Sequence, residues 1–201
     1  HFVRVYPTNT ATPAVEPTGT IYIGGVQAEN ATVASSHIPT TTGTVARNAD
    51  NETYPGAGNI GATEGTIYAE VYFSRTHGSN QIVAELSDGT ANERISIYRN
   101  NSDGNMWALV VDGGVNQAAL NLGAAANNRL HKVAVRYKAN DFAGSLNGGT
   151  VVTDTAGTLP TVTTVYVGQP YTAADFVNSP TKNLRIARVT LSNQELTLIT
   201  R

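Results

Sequence analysis

The 201-residue chain carries only 14% charged side chains and a formal charge of −2, too few cations to hold nucleic-acid backbones by counterion displacement. It contains no cysteine, which excludes disulfide frameworks, thiol nucleophiles and cysteine-ligated zinc. No apolar run is long enough to span a membrane, and a chain of this length buries a core without covalent staples.

The chain opens on His1 with no charged-then-apolar leader behind it, which reads as a processed product or a piece of a longer protein. Residues 7–18, PTNTATPAVEPT, contain three prolines, so residues 1–18 are expected to be an extended lead-in and 19–201 the folded domain. In GTIYAEVYF, residues 65–73, Ile67, Ala69, Val71 and Phe73 alternate with Tyr68, Glu70 and Tyr72, the two-residue period of a half-buried strand. QIVAELS, RISIYR, MWALVV and VNQAALNL follow, separated by Asp88-Gly89, Asn101-Ser102-Asp103-Gly104 and Asp112-Gly113. Asp-Gly pairs supply the positive φ values of tight hairpins, so these runs are expected to form an antiparallel meander.

KVAVRYK, residues 132–138, repeats the alternation, with Val133, Val135 and Tyr137 against Ala134 and Arg136. Asn147-Gly148-Gly149 turns FAGSL into TVVTD, and NLRIARVTL at 183–191 is read as the closing strand. Ser192-Asn193-Gln194-Glu195 forms a capping box ahead of Leu196, Leu198 and Ile199 and predicts a short terminal helix.

LHKVAVRYKANDFAGSLNGGTVVTD, running on to Val165-Tyr166-Val167-Gly168, resembles concanavalin A-like (laminin G-like) domains of bacteriophage tail and fibre proteins. LRIARVTLSNQELTLIT is similar to the closing signature of that family, a strand followed by Leu-Ser-x-x-Glu-Leu. Residues 43–75 match more weakly, and the first 40 do not match. The resemblance implies an all-β fold: an antiparallel two-sheet jelly-roll sandwich with a short C-terminal helix. It also implies glycan or receptor binding on one face or its rim, sometimes with calcium. Hydrolases and lyases share the fold, so chemistry has to be judged from the residues.

A retaining glycosidase needs two carboxylates about 5–5.5 Å apart. Glu85 and Asp88 differ by three positions and so face opposite sides of a strand, Glu93 follows a turn, and Asp50-Asn51-Glu52 has no third acid in place. His77, Gln81, Tyr98 and Arg99 contain the residue types of a lyase site without its order. Nucleophile-elbow, His-Glu-x-x-His and phosphate-loop motifs are missing from the sequence. His37, His77 and His131 read as solvated or locally bonded histidines. No cofactor is required; calcium remains compatible with Asp103, Asp112, Asp141, Asp175 or the Asp50–Glu52 loop.

Sugars are recognised by flat aromatic faces beside amides, acids and guanidinium groups. Tyr68, Tyr72, Tyr98, Trp107 and Arg136 occupy the non-core parity of their strands and are expected to border one carbohydrate groove, with Tyr171 and Asp175 on a rim loop. For Trp107 the alternative is core packing, because both faces of MWALVV are apolar. The expected function is non-catalytic binding of a polysaccharide or cell-surface glycan, outside the cell or on a virion, with no nucleic-acid or membrane partner. The alternatives are a self-associating fibre or decoration domain, which would be a homo-oligomer, and a lyase or hydrolase on the same fold.

Overall fold

Alternation of side chains divides the strands into an inner and an outer face. In β2 (Glu64–Phe73), Ile67, Ala69, Val71 and Phe73 are fully buried, while Tyr68, Glu70 and Tyr72 point the other way. β7 (Arg129–Lys138) pairs with it antiparallel over its whole length and adds Val133, Val135 and Tyr137 to the same core. The computed structural model describes residues 51–201, so the lead-in expected at 1–18, the domain start at Gly19, His37 and Asp50 lie outside the described residues.

The strands form two antiparallel sheets. One has the order β11 (Thr181–Ala187), β2, β7, β8 (Phe142–Leu146), β9 (Val152–Asp154). The other has the order β1 (Glu52–Pro55), β10 (Thr164–Val167), β3 (Gln81–Ser87), β4 (Arg94–Arg99), β5 (Asn105–Asp112), β6 (Val115–Ala124). The meander expected for β3 to β6 is present; β10 then returns beside β3 and lies between it and β1. A row of Val165, Leu86, Ile95, Val110 and Ala118 crosses five strands in register and is buried throughout. Each large apolar side chain in such a row contributes about 1.5–3 kcal/mol on burial.

The turns follow backbone geometry, with two departures from expectation. Asn147 and Gly148 have φ of 52° and 69°, the left-handed pair of a type I′ turn at the start of the 147–151 loop, closed by Gly149 N–H donating to Leu146 O at 2.9 Å. At 112–115 the positive φ values fall on Gly113 and Gly114, so Asp112 is the last strand residue rather than a turn centre. Asp88 opens a wider loop: its amide donates to Glu93 O and its carboxylate accepts from the Thr90 amide.

The terminal helix α1 (Asn193–Ile199) starts as its capping box requires, with Glu195 N–H donating to Ser192 Oγ and Ser192 N–H donating to Glu195 Oε2. Leu196 is completely buried against Ala134 and Ala143, so the helix sits on the outer face of the five-stranded sheet over β7 and β8. The closing strand is shorter than the sequence suggests, ending at Ala187 rather than Leu191. Residues 188–191 run from sheet to helix, tied down by Thr66, whose hydroxyl donates to Val189 O and accepts from Leu191 N–H.

Candidate functional site

The five residues expected to share one groove lie on opposite outer faces of the sandwich. Tyr68, Tyr72 and Arg136 belong to the five-stranded sheet; Tyr98 and Trp107 belong to the six-stranded sheet. Parity placed each side chain correctly as outward-facing, but a single groove bordered by all five does not exist.

On the six-stranded sheet, Tyr98 of β4 stands directly opposite Trp107 of β5, and Asn121 of β6 is next in the same row. Met106, Ala108 and Val110 take the core side of β5, so the indole turns outward and is half-buried; core packing does not apply to it. Trp107 Nε1 donates to Asp103 Oδ2 at 3.0 Å, and Asp103 Oδ1 accepts from Asn105 N–H at 2.8 Å. The turn that holds Asp103 is itself locked by Asn100, whose side-chain oxygen accepts from the amides of Ser102 and Asp103. Tyr98 is held above its ordinary phenol pKa, chiefly by burial, with the Asp103 charge adding and Asn100 and Arg94 opposing. Asn121 and Asp103 are exposed beside the two rings. This outward row thus brings together two aromatic rings, an amide and a carboxylate.

The β3 side of that face is covered, while Leu109 and Ala119 in the next outward row are half-buried and exposed. Residues 168–178 cross it as a strap: Tyr171 N–H donates to Glu85 Oε1 at 2.9 Å, and Ile82 N–H donates to Asp175 O at 3.1 Å. Glu85 is buried beneath it and also accepts from Ser96 Oγ at 2.5 Å. Tyr171 and Asp175, expected on a rim, therefore belong to a cover that leaves the Tyr98–Trp107 end open.

On the five-stranded sheet, Arg136 is buried and structural. Its guanidinium donates to Leu191 O at 2.9 Å and to Asp141 Oδ1 at 2.6 Å, anchoring the approach to α1. Both of these bonds go to the chain itself, while its buried Nε has no partner among the described residues. Tyr72 is 37% exposed beside Leu130, further along the strand. Tyr68 lines an open groove of about 390 Å³ together with Thr66, Glu70, Arg185, Ala187, Leu191 and Ile199. Its hydroxyl donates to Glu70 Oε1 at 2.8 Å; burial first, then that carboxylate, pushes the phenol up to about 12. Glu70 is held below the usual carboxylate range by hydrogen bonds from Asn183 and Tyr68, with Lys182 and Lys132 adding to the effect.

The acids expected near calcium are spread among separate tasks: Asp103 holds Trp107, Asp112 accepts from Thr158, and Asp141 pairs with Arg136. Among the described residues no three His, Asp or Glu side chains gather as a metal site. Glu93, weighed as a catalytic acid, accepts from the Gly113 and Thr161 amides and serves as a loop tie.

Of the lyase set, Arg99 and Gln81 do meet, at 3.2 Å, and Tyr98 faces away from them. Arg99 is buried between the sheets with its guanidinium 5.1 Å from the Phe73 ring centre. It also donates to Asn127 Oδ1, Thr76 Oγ1 and the carbonyls of Arg75 and Gly104. This is a clamp on three loops at one end of the sandwich. Sequence reasoning weighed Arg99 only as a lyase residue and missed this role, although the parity of Ile95 and Ile97 points it inward.

No protein-family model matches the sequence, and no curated protein is similar to it in sequence. The fold has clear likenesses among solved structures. The CBM40 domain of the Ruminococcus gnavus IT-sialidase, solved bound to alpha2,3 sialyllactose, is 19% identical with a TM-score of 0.55, covering 70% of this chain and 84% of that one. Leech intramolecular trans-sialidase matches at 19% identity and TM-score 0.53 over 69% of this chain and 23% of its own. Domains LG4-5 of the mouse laminin alpha1 chain match at 17% identity and TM-score 0.53, over 73% of this chain and 41% of theirs. The described residues form an antiparallel two-sheet jelly-roll sandwich with a short C-terminal helix, the fold they share with these domains.

Proposed function

We propose that this domain binds carbohydrate without cleaving it, on the open end of the six-stranded sheet. The observation that carries the reading is the side-by-side pair of Tyr98 and Trp107, oriented by Asp103 and flanked by Asn121. Each ring stacked on a sugar contributes about 1 kcal/mol, by analogy with aromatic pairs, so binding is weak per site. The CBM40 domain of like fold, solved with sialyllactose, supports the ligand class. Against catalysis, Glu85 lies buried beneath the strap and Glu93 is spent on loop amides.

The finer reading is a domain of a bacteriophage tail or fibre protein, acting outside the cell or on the virion, with residues 1–18 as its lead-in. It rests on the Leu191-Ser192…Glu195-Leu196 closing motif, whose capping box and buried Leu196 seat α1. Affinity electrophoresis through a panel of polysaccharides tests the binding. Retention of the native chain by at least one glycan, weakened in Tyr98→Ala and Trp107→Ala with no shortened products, is the expected result. Equal retention of both variants would remove this face as the site, and shortened products would favour the enzyme.

A further inference from the structure

The domain is polarised in charge. The strands of the five-stranded sheet carry Arg129, Lys132, Arg136, Lys138, Lys182 and Arg185 against Glu64, Glu70 and Asp154. The strands of the other sheet carry Arg94 and Arg99 against Glu52, Glu85 and Asp112. A nearly neutral chain thus presents a cationic layer on one side, where an anion is drawn in.

Most of those cations are engaged. Lys138 pairs with Glu64 at 2.9 Å, Arg136 with Asp141 at 2.6 Å, and Lys182 with Glu70 at 3.6 Å, and Lys132 donates to the Arg201 carbonyl. Arg185 differs. It is exposed, lies opposite Tyr68 in the ladder, lines the groove, and has no carboxylate partner among the described residues.

The groove around it combines three kinds of surface. Tyr68, Leu191 and Ile199 supply apolar walls, Glu70 supplies a carboxylate paired with Lys182 and hydrogen-bonded by Asn183 and Tyr68, and Arg185 supplies a planar fork of donors. We infer that this groove binds an anionic saccharide unit, with the ring against Tyr68 and Ile199 and the acid group on Arg185. A guanidinium pairs with a carboxylate or sulfate through two parallel hydrogen bonds, which a neutral sugar cannot match. At about 390 Å³ the space suits one or two rings rather than a large ligand. The inference shares with the preceding reading only that the ligand is a saccharide; the surface is on the other side of the sandwich from Trp107.

Calorimetric titration of the full chain with oligogalacturonate, its neutral methyl ester and a heparin-derived oligosaccharide tests the site. The expected result is binding of at least one acidic probe. The ester should bind roughly tenfold more weakly than the acid, or not at all if sulfate is the preferred group, and Arg185→Gln should weaken the acid by roughly tenfold. Binding should fall with added salt and survive Trp107→Ala. Oligogalacturonate bound by this dependence assigns a carboxylate; heparin bound in its place assigns a sulfate. Equal affinity for acid and ester, an unchanged Arg185→Gln, or no binding of either acidic probe would overturn the inference. Loss in Trp107→Ala with Arg185→Gln unchanged would overturn it too, while upholding the other face. Thermal melts of Arg185→Gln, an exposed substitution, confirm that the fold is intact.

Discussion

Trp107 donates its indole N–H to Asp103 at 3.0 Å, a bond that fixes the indole against the turn opening β5. Tyr98 stands opposite it on the neighbouring strand, so the two rings share one outward row. The same turn that begins β5 therefore orients the proposed ligand surface.

Asp103→Ala is expected to free the indole and lower glycan affinity by about fivefold, on the order of 1 kcal/mol for one lost orienting hydrogen bond. Because Asp103 is exposed, the melting temperature should change little. Titration and a thermal melt on the same sample separate the two effects.

Arg99 is the opposite case, a residue whose loss should be felt in stability rather than binding. It is 5% exposed and spans Gln81, Asn127, Thr76 and two backbone carbonyls. Arg99→Met should cost about 1–3 kcal/mol, chiefly by leaving the buried Gln81 Oε1 unpaired and releasing the loops it joins. Arg99→Lys should recover little, since an ammonium cannot reproduce the planar fork. Denaturant unfolding measures both.

How much of this was legible in the residues depends on the element. β2, β7 and α1 were readable because local patterns decide them: period-two alternation in Ile67–Phe73 and Val133–Tyr137, and the Ser192–Glu195 box. Which layer each strand joins was not readable, because it depends on closures far apart in sequence, such as β10 returning between β1 and β3. Parity alone therefore could not show that Tyr68 and Trp107 face away from one another. Nor could it show that the 168–178 strap and α1 would each cover part of an outer face, burying Glu85 under one and anchoring Arg136 beside the other. The strand at 183–191 was read too long because Arg188–Leu191 keeps strand-like residues while Thr66 captures its backbone.

Helix docking is a separable source of stability. Leu196→Ala removes a fully buried side chain from its seat on Ala134 and Ala143 and should cost about 2–4 kcal/mol. Ser192→Ala removes only the cap and should cost about 1 kcal/mol. Denaturant midpoints should rank the native chain, Ser192→Ala and Leu196→Ala in that order.

The acid side of the stability profile should carry the mark of His131. It is buried, with Nε2–H donating to Ala126 O at 2.8 Å and Nδ1 accepting from Asn147 Nδ2 at 2.9 Å. Burial, aided by Arg129 and Arg99 and opposed by the Ala126 bond, lowers its pKa below the ordinary value; His77 is shifted the same way, by burial first and then Arg75 and Arg99. With the folded value below the unfolded one of about 6.5, the unfolded chain takes up the proton first as pH falls. Stability is then level above about pH 6.5 and declines below it, until the folded value is passed. Melts across this range should show that decline, and His131→Gln should make it shallower, leaving the share that His77 contributes.

Trp107 is the one tryptophan in the chain, so its emission reports on the proposed platform directly. A fluorescence titration with whichever glycan retains the native chain is the sharpest measurement. A saturable change in Trp107 emission, with the same affinity found by calorimetry and weakened in Tyr98→Ala, is the predicted result. Calorimetric binding of that glycan while the emission of Trp107 stays unmoved would contradict the account.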